Sequence, residues 1–228
     1  MFIGHLALGL AAKRVTPRVS LAVLFSAAQF ADMLWPVLVA LGIEQVRIHP
    51  GDTAFTPLEF VSYPYSHSLL LAIWGLVFGL VYERAAHARR QAKAGGPFFS
   101  RTVVIITALV VSHWVLDVVT HRPDMPLYPG SVRIGLGLWN SVPGTIAIEV
   151  AMYGAGLWVY FSSTQARDGI GLWGGVSLFA FLLLAYVANV AGPPPPSVTA
   201  LWVTAILATV LLTWWSWWVD RHRDAILS

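Results

Sequence analysis

Ser112-His113-Trp114-Val115-Leu116-Asp117-Val118-Val119-Thr120-His121 closes an apolar run that begins near residue 102. On a helix, His113, Asp117 and His121 at i, i+4 and i+8 fall on one stripe and can grip a cation together. Ionisable groups near the centre of a membrane helix cost roughly 2.5 to 3.5 kcal/mol each, so they are seldom kept without a use. A stripe that only bonds neighbouring helices is the alternative, and Ser or Thr would do that at less cost.

That run is one of several. The chain has 228 residues, 57% of them hydrophobic and only 11% charged, with a mean hydropathy of +0.69, the composition of an integral membrane protein. Apolar runs at about 19–43, 67–83, 102–120, 143–162, 170–191 and 198–219 can each cross a hydrocarbon core of roughly 30 Å at 1.5 Å per residue. The expected fold is all-α: a polytopic transmembrane helical bundle of about six spans plus a short N-terminal helix. A single membrane domain covers 1–228, with a metal-site core in 1–150 and additional transmembrane helices in 151–228. Trp35-Pro36 is expected to kink the first long span, and Gly192-Pro193-Pro194-Pro195-Pro196 forms a stiff turn.

Basic residues orient the bundle. Lys13, Arg14 and Arg18, then Arg84, Arg89, Arg90, Lys93 and Arg101, then Arg167, then Arg221 and Arg223 all fall on one side of six alternating spans. That side is expected to be cytoplasmic, together with the C-terminus. The same residues account for the isoelectric point of about 9.4 and form no basic face, which argues against a nucleic-acid partner. Cysteine is absent, so imidazoles and carboxylates must hold any metal.

This topology brings polar residues from separate segments to one outer layer. His67 starts the second span, His113 and Asp117 end the third, and His121 and Asp124 follow it. Asp32 lies deeper in the first span, and His5 sits at the far end of the N-terminal helix from Lys13. A hydrolytic metal needs this set of imidazoles and carboxylates, an open position for water, and a nearby acid or base. Metal ligands are therefore expected at His5, Asp32, His67, His113, Asp117 and His121, with Asp117 or Asp32 suited to bridging two ions. Asp124 and Glu149 are the candidates for supporting or acid/base roles. Other readings stay open: Asp32 could pair with an Arg or Gln29, His5 could meet headgroups, and Glu149 could be a ligand, a base, or simply bonded to backbone. Ser66 is expected to cap the helix after it and leave the His67 ring free.

Gly4-His5, Gln29-Phe30-Ala31-Asp32, Ser66-His67-Ser68-Leu69 and Ser112-His113-Trp114-Val115-Leu116-Asp117 with Thr120-His121 together resemble the YdjM-like bacterial membrane proteins identified as membrane-bound metal-dependent hydrolases. The likeness covers about the first 150 residues and implies a location in the bacterial inner membrane. The ligand order is also similar to that of the zinc-dependent phospholipase C and single-strand nuclease superfamily, on to which His5, Asp32, His67, His113 and Asp117 map in sequence, with His121 next and Glu149 as a possible last member. Two departures, Phe30-Ala31-Asp32-Met33 around the first acid and Thr145 where a late histidine belongs, reduce the implied three zincs to one or two divalent ions, zinc being the expected metal.

The expected function is hydrolysis of a phosphoester or ester in a membrane lipid or lipid-linked substrate, through water activated by metal at the outer-leaflet side. A divalent-metal or proton-coupled transporter is the alternative, in which the same residues form a transit site. Transporters favour midplane sites and internal repeats, and no repeat is visible here.

Overall fold

A computed structural model describes residues 1–89 and 100–226. The chain is mostly helical, as the apolar runs demand. α1 (Ile3–Val15) is followed by α2 (Leu21–Ala28) and α3 (Phe30–Ala40). A hairpin of β1 (Gln45–Ile48) and β2 (Leu58–Ser62) comes next, then α4 (Leu71–Arg89) and α5 (Arg101–Thr120). The two-residue strands β3 (Met125–Pro126) and β4 (Arg133–Ile134) precede α6 (Val142–Ser163), and β5 (Thr164–Ala166) leads into one π-helical turn (Ile170–Gly174) and α7 (Gly175–Ala191). The last elements are α8 (Val198–Asp220) and β6 (Arg223–Ala225), which pairs antiparallel with β5.

Among the described residues, four helical stretches are long and apolar enough to cross a membrane: α5, α6, the π turn with α7, and α8. A fifth arises only if α2 and α3, bent by 60°, count as one. The expected count of six is therefore not reached. α4 starts at Leu71, so its apolar part runs only to Tyr82 before Glu83 and Arg84. Twelve residues reach about 18 Å, short of a core of roughly 30 Å.

The first long run also departs from expectation. Its bend falls at Gln29, between α2 and α3, while Pro36 is accommodated inside α3. Neither Gly nor Pro lies at the break, so local propensity does not make it; tertiary contacts with α5 hold it, as shown below. The Gly192–Pro196 segment behaves as expected and separates α7 from α8.

Close packing fixes α1 against α6. A Cβ on Gly156 would lie 2.7 Å from the Ala7 carbonyl oxygen and 2.8 Å from its Cα, so only glycine lets the helices meet there. Three cores result. One joins α1, α2, α6, α7 and α8 through Leu10, Phe25, Tyr160 and Leu182; a second joins α2, α4 and α5 through Leu24, Leu71, Ile106 and Val110; a third joins α3, β1 and β3 through Trp35, Val39, Val46 and Met125.

The basic segments gather at one end. Lys13 Nζ donates to Asp220 Oδ2 at 2.7 Å and to the Val19 carbonyl at 2.9 Å, and both Lys13 and Asp220 are buried. Arg167 donates to the Arg221 carbonyl, and Arg223 bonds Thr164 and Gly171. Arg101 begins α5 at the end away from His113 and Asp117. Arg90 and Lys93 lie outside the described residues.

Candidate metal centre

Asp117 is the hub. It projects from the last turns of α5 and is 2% exposed. Its Oδ1 accepts from the Met1 α-amino group at 2.6 Å and lies 3.0 Å from His5 Nε2, while its Oδ2 lies 3.1 Å from His113 Nε2 and 3.7 Å from His67 Nε2. Asp32 Oδ1 completes the group at 3.5 Å from His67 Nε2 and 3.7 Å from His113 Nε2. Five of the six expected ligands are thus brought together from four segments.

The imidazole tautomers follow from their outer partners. His113 Nδ1 lies 2.9 Å from the Ala28 carbonyl; a carbonyl only accepts, so Nδ1 carries the proton and Nε2 of the neutral ring is bare. The carbonyl stands at the α2–α3 break, which couples the bend to the site. Ser66 has one hydroxyl proton, and it goes to Glu44 Oε2 at 2.6 Å. The 2.7 Å contact between Ser66 Oγ and His67 Nδ1 must then be donated by His67, whose Nε2 is also bare. Glu44 is held in turn by the backbone N–H groups of Tyr65 and Ser66.

In their neutral forms the two rings therefore present bare nitrogens to the oxygens of two carboxylates. His113 Nε2 is buried without a hydrogen-bond partner, and lone pairs so placed repel unless a cation lies between them. The spacing fits a metal: ligand bonds of 2.0 to 2.2 Å in a tetrahedron put ligand atoms about 3.3 to 3.6 Å apart, and here the separations run from 3.1 to 3.7 Å. Among the described residues, two sets of three could hold an ion, His5/His113/Asp117 and Asp32/His67/His113. They share His113, whose single free nitrogen serves one ion. A second ion would be held by His5 together with Asp117.

His5 stacks on His113 with ring centroids 3.6 Å apart and planes at 7°. Burial, reinforced by His113 and the α-amino group, pushes its imidazole down to about 3, which keeps it neutral. Asp32 sits in the first turn of α3, where the helix N-terminus favours a carboxylate. Among the described residues no hydrogen bond joins Asp32 to Gln29, whose Oε1 atom is buried and unbonded.

His121 and Asp124 occupy a neighbouring position. The i, i+8 stripe expected for His121 fails because α5 ends at Thr120; His121 is its C-cap with extended backbone (φ −66°, ψ 150°) and belongs to neither ion-holding set. Its Nδ1 lies 2.9 Å from Asp124 Oδ1, which also accepts from Tyr63 at 2.6 Å. Burial pushes His121 below its ordinary range, and the hydrogen bonds of His121, Tyr63 and Arg122 hold Asp124 below its own in spite of burial.

Glu149 has a different task. It is fully buried, and its Oε2 accepts from the backbone N–H groups of Phe2 and Gly4 at 2.8 and 3.1 Å. It caps α1 from α6 in place of a local side chain and so fixes where His5 points. Thr145, at the position where a late histidine would be sought, bonds the Leu138 and Ser141 carbonyls. Ser66 is a relay rather than a cap; Ser68 Oγ accepts from the Leu70 N–H before α4.

Asp32, His67, Asp117 and His121 line a cavity of about 850 Å³ that extends along α8. No family model matches this chain, and neither the curated proteins nor the solved structures contain a match. The functional reading therefore rests on the site itself.

Proposed function

We propose that this chain is a membrane-embedded metal-dependent hydrolase acting on a phosphoester or ester of a lipid-like substrate. One observation carries the reading: the Asp32, His67, His113 and Asp117 ligand atoms stand at metal-coordination spacing, with both neutral imidazoles set to present bare Nε2 atoms, and Asp32, His67 and Asp117 line a substrate-sized cavity. A divalent ion held there, zinc being the best fit to imidazole and carboxylate, supplies Lewis acidity and water activation. The protein's own part is to hold the ligands through Ala28, Ser66 and Glu44, to place His121 and Asp124 for proton transfer, and to seat the substrate. The four-motif likeness to the YdjM-like hydrolases points the same way, as does the basic end, which we assign to the cytoplasm of a bacterial inner membrane with the C-terminus inside.

A transporter is the second reading, and the α2–α3 break favours it: helices interrupted beside an ionisable residue are a transporter feature. The experiment that separates them measures bound metal in the purified protein, then hydrolysis of phospholipid and bis(p-nitrophenyl) phosphate beside metal uptake in liposomes. The hydrolase reading requires metal retained in detergent and ester cleavage lost on chelation. Uptake without cleavage would replace it with transport.

A further inference from the structure

The metal cluster occupies one end of the cavity, and the remainder has walls of a different kind. α8 supplies Leu201, Thr204, Ala205, Ala208 and Leu212, spaced so that they form one face. Phe25 and Met33 contribute from α2 and α3, and the Pro193–Pro196 strap from the α7–α8 turn. The ionisable side chains of the lining are Asp32, His67, Asp117 and His121 alone. From Ala200 to Thr213 the α8 wall runs about 20 Å, more than one leaflet's half of a hydrocarbon core of roughly 30 Å. The start of α8 is the site end, because Val198, Leu201 and Trp202 pack with Trp35, Tyr63 and Val118.

α8 is also unusual among the spanning helices. None of its apolar stretch is buried: Leu207 and Val210 on its other face are 64% and 63% exposed, and its inner face borders the cleft. Apolar side chains predominate in these walls, with the Thr204, Thr209 and Thr213 hydroxyls and the Gln29 and Asn189 amides interspersed, and the size of the cleft suits one small molecule rather than a polypeptide. Ionisable groups at one end and uncharged, chiefly apolar walls over the rest match a ligand with a charged head and a hydrocarbon body.

We infer that the cavity seats one hydrocarbon chain of a membrane lipid along the inner face of α8, with the lipid's phosphoester head at Asp32, His67 and Asp117. The position of the head rests on the proposed hydrolase reading; the position of the chain rests on the cleft walls. The groove then selects substrates by chain as the metal centre selects them by head.

A phospholipid carrying a diazirine near the end of one acyl chain, incorporated in nanodiscs with the full-length protein, tests this. Photolysis should label Ala205, Ala208 or Leu212 and the facing Phe25 or Met33. Ala208→Trp fills the groove, so these labels should be lost while those on outward Leu207 and Val210 remain; Ala205→Phe serves as a second blocking variant should the first fail to fold. Labels confined to the outward face, unchanged by either variant, overturn the proposal. Hydrolysis is read on the same samples with bis(p-nitrophenyl) phosphate, which needs no chain seat. Cleft labelling without cleavage removes the hydrolase reading and leaves the chain seat standing; cleavage without cleft labelling removes the chain seat alone.

Discussion

Asp117 shows how much one residue can organise when its two oxygens face different partners. Oδ1 meets His5 and the α-amino group, Oδ2 meets His67 and His113, so Asp117→Ala should abolish metal retention, whereas Asp124→Asn should keep metal and lower turnover by roughly 100 to 10,000-fold, the span of general acid–base catalysis. Metal analysis and ester cleavage on both variants check this, and equal metal loss in the two would return His121 and Asp124 to the ion's own shell. Ser66→Ala or Glu44→Gln should weaken metal binding by about 10 to 100-fold, as removal of outer-shell partners does; unchanged affinity in a zinc-buffer titration would refute the relay. His5 gives a pH prediction. Folded, it titrates near 3; unfolded, near 6.5. Below pH 6.5 the unfolded chain thus binds a proton that the folded one refuses, and stability falls with acidification toward pH 3, by at most about 1.4 kcal/mol per pH unit for this group. The melting temperature of metal-stripped protein should therefore drop between pH 7 and 5, and His5→Gln should flatten that slope.

At the scale of elements, the residue types and spacing made the helices and most ligands legible, because apolar runs and i, i+4 pairs are local signals. His113 and Asp117 share a helix face as their spacing requires. What escaped the sequence is tertiary. The break at Gln29 has no Gly or Pro to announce it, and its free-standing partner is His113 on α5. Glu44 reaches Ser66 across 22 positions by way of the β1–β2 hairpin, which has no helical period to reveal it. The end of α5 at Thr120 coincides with the end of the apolar run and is marked by Arg122-Pro123, so the i, i+8 stripe carried the helical spacing one residue past a stop that the sequence does announce. Packing of α1 on α6 makes a test at this scale. Gly156→Val would drive a side chain into Ala7 and displace the helix that carries His5, at a cost of about 1 to 3 kcal/mol. Gly154→Ala, which meets nothing within 4 Å, should be neutral or stabilising by up to about 1 kcal/mol. Thermal unfolding in detergent should separate the two; equal melting temperatures would mean that α1 is not held by that contact.

For the whole molecule, an ion held at the candidate metal centre would act as a fastener. The residues that could hold it come from α1, α3, the turn before α4, and α5, segments that also pack into different apolar cores, so one ion there would tie them together. The opposite end has its own fastener in the Lys13–Asp220 pair, and the absence of cysteine makes labelling of the two ends straightforward: Ser131→Cys, beyond the site end of α5, and Gly169→Cys, beside the basic end, should react from opposite sides of the membrane. Labelling from one side would undo the assigned topology. The ion's share of stability can then be read directly. A ligand that binds only the folded state stabilises it by RT ln(1 + [L]/Kd), about 2.7 kcal/mol at a hundredfold excess over Kd. Chelation should thus lower the melting temperature, and added zinc should restore it in proportion to the logarithm of free metal. Asp32→Asn separates this from a general effect of zinc: Asp32 is 41% exposed at its side chain and lies outside all three cores, so the metal-free protein should unfold as the wild type does while the metal-dependent increment shrinks. An increment of wild-type size in that variant would place the ion elsewhere and remove Asp32 from its ligands.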